Sequence, residues 1–461
     1  MHIQELVRQI KAGTLSSTQL CEESIRRITE HDQNGRKLNA VSLISPFWRE
    51  EARALDEAEE RAVSDKPLYG IPVLVKDNIE VKGLPNPAGS YVLRDLIAEE
   101  DSAVIKRLRN AGAVILGKCC LSEFAYWMSE DGMPSGYSSL NGQVVHPYNP
   151  SFDPSGSSSG SAVAAAARYC PITVGTETDG SLMSPAISNG IVSIKPTLGL
   201  VPQDGILPLS HVQDTAGPMA NSVEDCALLL EAMSADDTDV AEFRSALSSD
   251  LRGKRIGVFT VKDYVHDMEY LGRLKQIISD HGGEAVEFEL EKAEIDEYEC
   301  LVTEFKYDIN RYLSQRNCMA RSLHDIIRMN EEDAQRCLKH GQSLLIKSEN
   351  SSGSMDDPEY RKLRTAVNAE ASSILNSAIE GQSLSCMVTV CSSAPTNLAA
   401  ITGACSMVIP AREVNETAYD PLSFYMLSTH RREEELIRLA FTLEQALGIT
   451  CRPSWLPAEE A

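Results

Sequence analysis

DPSGSSSGSAVAAAARYCPITVGTETDGSLMSPA, residues 153–186, decides how this chain is read. It holds two loops rich in Gly and Ser. The first leads into an alanine-rich run ending at Arg168, which reads as a helix. The second follows the apolar run Ile172–Val174, which reads as a strand, and ends at Ser181. Glycines permit positive φ and close backbone approach. A turn of successive backbone N–H groups forms an anion-binding nest. An acyl-transfer enzyme needs such a nest beside a nucleophilic hydroxyl, to hold the oxyanion. A Gly/Ser run also suits a flexible linker, but a linker does not sit between an apolar strand and a helix of the core.

A serine hydroxyl is a weak nucleophile without a base in reach. None of the nine histidines accompanies these loops. A lysine serves instead when burial keeps it neutral, lowering its pKa by up to ~3–5 units from a reference near ~10.4. Lys76, closing the apolar run IPVLV at 71–75, is placed for that role. Taken alone, a lysine at a strand end is as well explained as a solvated cap.

Outward from this stretch, strands and helices alternate in the α/β pattern. The first 60 residues read as helices, with a capping-box pattern at Ser16 and Gln19; Glu50–Arg61 is one of them. Ala113–Leu116 reads as a strand, and residues 129–160 as loop. Further strands are expected at Ile191–Ile194, Arg255–Thr260, Glu284–Leu290, Cys386–Val390, Cys405–Pro410 and Leu422–Leu427. Helices are expected at Val223–Met233, Leu271–His281 and Glu433–Gln445. Residues 291–380 break the alternation: they are charged and mostly helical. The expectation is one α/β domain spanning 1–461, an α/β/α sandwich with a mixed central sheet covered by helices on both faces. Within it, 291–380 forms a helical insertion or lid.

The chain has 461 residues and a formal net charge of -24, from 67 acidic against 43 basic side chains. That balance argues against nucleic acid, whose phosphates need Lys and Arg, and against anionic membrane surfaces. It favours neutral or cationic small molecules. The twelve cysteines form no C-x-x-C pair, and several sit in apolar runs, as small buried hydrophobes do. A reducing cytoplasm is the expected setting. No apolar run reaches the ~18–20 residues of a membrane span, and the N-terminus lacks signal-peptide features. Metal-ligand patterns such as H-E-x-x-H are absent, so no metal or other cofactor is expected.

Five segments together resemble the amidase-signature family: GIPVLVKDNI around Lys76, GAVILGKCCLSEFA at 112–125, GSSSGSAVAAAA at 156–167, GTETDGSLMSPA at 175–186, and IKPTLGLVPQDGILPLSHVQDTAGPMA at 194–220. The C-terminal SFYMLSTHRREEELIRLAFTLEQALG resembles that family's closing strand and helix. The similarity covers most of the chain and is weakest over 291–380. It implies a serine amidohydrolase with Ser181 as nucleophile, Ser157 as proton shuttle behind a cis peptide bond, and Lys76 as base. It also implies an oxyanion hole from the backbone of Thr178, Asp179, Gly180 and Ser181. Asp77, Ser158 and Met183 fall in the surrounding shell or pocket.

The chain departs from the family pattern in places. TDTGGS reads TETDGS, so Asp179 replaces a glycine and its carboxylate must point away from the oxyanion. Ser155 and Ser159 occupy glycine positions, and Met183 stands where an arginine is common. The TETDGS form looks most like the peptide-amidase branch, which releases ammonia from C-terminal peptide amides. The implied substrate is a neutral carboxamide, and the expected state a monomer or homodimer. Alternatives are a glutamine-hydrolysing ammonia-donor subunit of a transamidation complex and a catalytically inactive scaffold. Gly156–Gly160 also fits G-x-S-x-G, with Ser158 as nucleophile, but the preceding HPYNPSFDP carries three prolines where that motif needs a strand. Gly112–Cys119 nearly matches a phosphate-binding loop; its AVIL core is strand, and Lys118 reads as structural.

Overall fold

The computed structural model describes residues 2–59, 64–235, 241–262, 267–290 and 295–457. Thirteen strands are present among them: β1 Val41–Ile44, β2 Pro72–Lys76, β3 Val114–Cys119, β4 Tyr137–Ser138, β5 Gly142–Gln143, β6 Ile172–Glu177, β7 Val192–Lys195, β8 Thr215–Ala220, β9 Arg255–Val261, β10 Glu284–Leu290, β11 Cys386–Cys391, β12 Ser406–Pro410 and β13 Ser423–Leu427. Eleven form one sheet in the order β1-β3-β2-β6-β8-β7-β12-β13-β11-β9-β10, while β4 and β5 pair separately. β2 runs parallel to β3 and β6, and β9 parallel to β10 and β11. The remaining pairings are antiparallel. The sheet is therefore mixed, with helices packed on both faces, as expected.

The period-2 alternation of β2 sets up the site. Val73 and Val75 join a large apolar cluster with Leu6, Ile105 and Leu229, from three helices on one face. Leu74, between them, packs with Val163 and Ala164 of the alanine-rich helix Ser159–Ala166 on the other. Lys76 shares the parity of Leu74, so it is aimed at the start of that helix. Small side chains let the helix sit close to the sheet. A Cβ on Gly160 would lie 2.3 Å from the Ala40 carbonyl oxygen and 2.4 Å from that of Cys120. The Ser161 hydroxyl donates to the Val174 carbonyl (3.0 Å), and the Thr173 hydroxyl to that of Ser161 (2.9 Å).

Several elements differ from the sequence reading. β1 lies where the first 60 residues read as helical; four residues are too short a run for alternation to show. The helix expected at Glu50–Arg61 spans Trp48–Asp56, and residues 60–61 lie outside the described ones. β8 was not expected because TAGPMA carries Gly217 and Pro218. It is tolerated because β7 pairs with it only at Ala220 and Met219, leaving Pro218 beyond that ladder. The short helix Met183–Asn189 follows Ser181 and stops at Gly190, in a left-handed conformation.

The 291–380 segment is helical where described, with Tyr298–Ser314, Leu323–Glu332, Ala334–Cys337, Ser343–Glu349 and Pro358–Ile379; residues 291–294 lie outside the description. Phe305, Ile309 and Leu345 from it pack on Leu121, Phe124 and Trp127. All twelve cysteines are unpaired, ten of them buried. Among the described residues, no helix is long and apolar enough to cross a membrane.

Candidate active site

The carboxyl ends of β2 and β6 converge on the first Gly/Ser loop. Lys76, the last residue of β2, is fully buried. Its Nζ lies 2.8 Å from the Ser157 hydroxyl, 2.9 Å from that of Ser158 and 3.0 Å from the Thr176 carbonyl. Ser157 is in turn 3.0 Å from the Ser181 hydroxyl. The Gly156–Ser157 peptide bond is cis. An unbroken hydrogen-bonded chain thus runs Lys76–Ser157–Ser181 through the protein interior.

The partners of Ser158 fix the direction of this chain. Its hydroxyl donates to the Thr176 carbonyl (2.9 Å) and accepts from the Thr176 N–H (3.2 Å). Its proton is committed, so towards Lys76 it only accepts. The Thr176 carbonyl also only accepts. A neutral amine has two N–H bonds and one lone pair. With both N–H bonds taken by Ser158 and Thr176, the lone pair faces Ser157. Burial brings Lys76 down to about 7, against the opposing pull of the Asp214 and Glu177 charges. Near neutrality a large share of the amine is therefore in the form that accepts a proton.

Ser181 closes a tight turn after β6. Gly180 takes φ +76°, which a side chain would disfavour. The Glu177 carboxylate accepts from the N–H groups of Leu182 (2.6 Å) and Met183 (3.0 Å), tying the turn to the strand that precedes it. The Thr178 hydroxyl donates to Asp214 at 2.5 Å. Asp214 accepts further from the N–H groups of Leu209 (2.8 Å) and Ser210 (3.0 Å). Burial nevertheless pushes its carboxyl up to about 7.

Above Ser181 lies a cavity of about 670 Å³. Ser157, Thr178, Asp179 and Ser181 form its floor; Tyr126, Trp127 and the helical segment's Ile295–Tyr298, Leu301 and Leu344 contribute walls. The Asp179 side chain is exposed to the cavity, beside the Thr396 hydroxyl and the Glu297 carboxyl.

The other residues singled out from sequence take different places. Asp77 is buried beside Lys118, whose Nζ is 3.4 Å from its carboxylate. Lys118 also donates to the Pro85 carbonyl (2.9 Å) and to Asn86 (2.7 Å), which is a structural role. Ser158 touches Lys76 directly. Met183 does not line the cavity: its side chain packs in the apolar core with Leu182 and Ile187, because the turn's helix begins there and points it inward. Glu177, Asp214 and Glu297 went unremarked in the sequence. Glu177 was discoverable, as the carboxylate that ends the strand inside TETDGS. The other two come from distant segments and leave no local signal. Among the described residues, no cluster of three or more potential ligands could hold a metal ion.

The sequence pattern of the amidase family matches residues 19–398. The chain belongs to the amidase family. This amidase is 34% identical, over 96% of its length and 89% of the relative's, to a protein of Arabidopsis thaliana described as a "probable amidase". It superimposes on the native peptide amidase of Stenotrophomonas maltophilia with a TM-score of 0.92, at 33% identity and 99% coverage of both chains. It is also 34% identical to one component of the glutamyl-tRNA(Gln) amidotransferase of Halorhodospira halophila, but over only 64% of this chain and 61% of that one. The protein is an amide-hydrolysing enzyme of the amidase-signature kind.

Proposed function

We propose that this amidase hydrolyses the terminal carboxamide of a peptide or acylated amino acid through an acyl-enzyme on Ser181. Neutral Lys76 draws a proton through Ser157 from the Ser181 hydroxyl, which attacks the amide carbonyl. The backbone turn Thr178–Ser181, braced by Glu177 and Asp214, holds the oxyanion. The same chain then runs in reverse: Lys76 returns its proton through Ser157 to the departing ammonia or amine. Water hydrolyses the ester, using Lys76 and Ser157 again as base and shuttle. Residues 295–379 act as a helical lid that shapes the acyl pocket.

The observation that carries this reading is the Lys76–Ser157–Ser181 chain, with Ser158 and Thr176 as the other two partners of the lysine amine. The likeness to the peptide amidase over nearly the whole of both chains supports the substrate class. The likeness to the amidotransferase component is partial. No basic side chain lines the cavity, among the described residues, to anchor a substrate carboxylate. The test is kcat/KM on a blocked peptide amide, a simple aliphatic amide, malonamate and glutamine. The peptide amide is expected to lead. A clear preference for glutamine would favour ammonia donation to a partner; one for malonamate would reject the neutral-substrate reading.

A further inference from the structure

Four carboxyl groups line the cavity above Ser181, those of Glu130, Asp179, Asp296 and Glu297, with the rings of Tyr126, Trp127 and Tyr298 among them. Glu130 accepts from the Tyr298 hydroxyl (2.7 Å) and Asp296 from the Tyr298 N–H (2.9 Å). Asp179, which accepts from the Thr396 hydroxyl, and Glu297, which accepts from Gln213, differ in having each other as a neighbour. They face each other in the cavity wall beside the nucleophile, and the Glu297 side chain, 8% exposed, has an oxygen with no hydrogen-bond partner. Glu297 stands at the N-terminal end of the helix Tyr298–Ser314 without a side-chain capping bond, where the helix dipole favours its anion.

The cation acting on Glu297 from behind this wall is Arg364. It is already engaged, donating to Gln213 at 2.6 Å and lying 3.5 Å from the buried Glu304 carboxylate. Glu297 and Glu304 thus share one guanidinium, while the cation acting on Asp179 is the buried Lys195. Two carboxyls pressed together cannot both ionise cheaply. Accordingly, burial and the neighbouring Asp179 push Glu297 up to about 9, and Asp179 is raised as well. A cation placed at the pair would replace the proton it holds. Aromatic rings beside it would add to the attraction.

We infer that the Asp179–Glu297 pair receives a primary ammonium carried by the acyl portion of the substrate, so that amine-bearing amides are preferred to their neutral counterparts. This rests on the hydrolytic reading of Ser181 given above. It leaves the scissile amide neutral and places the charge on the acyl side, where the wall beside the nucleophile can reach it. Glu297 acts here as a specificity-determining residue and takes no part in proton transfer.

The test compares kcat/KM at neutral pH, where an α-amine is mostly protonated, for phenylalaninamide and glycyl-phenylalaninamide against their N-acetyl forms. Wild type should favour at least one free amine over its acetylated partner by about tenfold or more. Glu297→Gln should erase most of that preference, through KM rather than kcat. Equal or better turnover of the acetylated forms by wild type would overturn the inference, as would an undiminished preference in Glu297→Gln. Loss of turnover on all four substrates would instead overturn the hydrolytic reading beneath it. Should Glu297→Gln fail to fold, competitive inhibition of wild type decides. Benzylammonium should bind about tenfold more tightly than benzyl alcohol, and equal inhibition would overturn the inference.

Discussion

The Nζ of Lys76 lies 2.8 Å from the Ser157 hydroxyl, and its two other partners, Ser158 and Thr176, can only accept. The amine's protonation state therefore sets the polarity of the whole chain to Ser181. Protonated, it donates outward and the serines cannot pass a proton inward. Neutral, it receives.

Activity should consequently rise with pH through a limb near 7 and level off above it, since burial holds Lys76 near that value and only the deprotonated amine is a base. Lys76→Ala should remove the limb and lower kcat by about 10²–10⁴-fold, the range of a general base. A pH–rate profile of the folded variant that keeps the limb would assign it to another group.

Asp214→Asn should move the limb towards lower pH. The Asp214 charge raises the lysine's affinity for its proton, so neutralising it makes the proton easier to lose. Asp214 itself titrates near 7, so the displacement is only part of what a permanent charge would give. The measurement is kcat against pH for both proteins; a shift to higher pH would contradict the sign.

Glu177→Ala should lower kcat by about 10²-fold with a smaller change in KM. Its carboxylate fixes the N–H groups of Leu182 and Met183 and so the turn proposed to hold the oxyanion, where a lost donor costs about 10²–10³-fold. Glu177→Gln, which keeps one acceptor oxygen, should recover part of the loss. Steady-state kinetics beside a circular-dichroism melt separates this from unfolding.

Gly160→Ala should destabilise by about 1–3 kcal/mol or more, the usual scale of overpacking. Its Cβ would meet three backbone atoms between 2.3 and 2.7 Å away, from Ala40 and Cys120, which cannot yield as a side chain would. Gly272→Ala is the matched control. It sits inside the helix Met268–Asp280 with nothing within 4 Å of the new carbon, and should gain about 0.5–1 kcal/mol. Urea denaturation of the pair checks both signs.

Much of this site is legible in the chain because Lys76 ends a short apolar strand and Ser157 and Ser181 stand in two Gly/Ser loops, where periodicity breaks abruptly. The structure brings the three into one line. What brings them together is not local. That Lys76 faces the alanine-rich helix follows from the parity of β2, but that its lone pair faces Ser157 follows from the committed proton of Ser158. Asp214 and Glu297 reach the site from loops about 35 and 120 residues beyond Thr178, and no pattern in their own segments announces it. β8 was hidden by Pro218, and β1 by its brevity. Met183 follows Ser181 so closely that it reads as a pocket residue, yet one turn of helix carries its side chain into the core.

The most direct measurement is peptide mapping by mass spectrometry after treatment with a fluorophosphonate. The adduct should fall on Ser181 alone, vanish in a folded Ser181→Ala protein that has lost turnover, and persist, formed more slowly, in Ser158→Ala. An adduct on Ser158, or amide turnover retained by folded Ser181→Ala, would contradict Ser181 as the nucleophile.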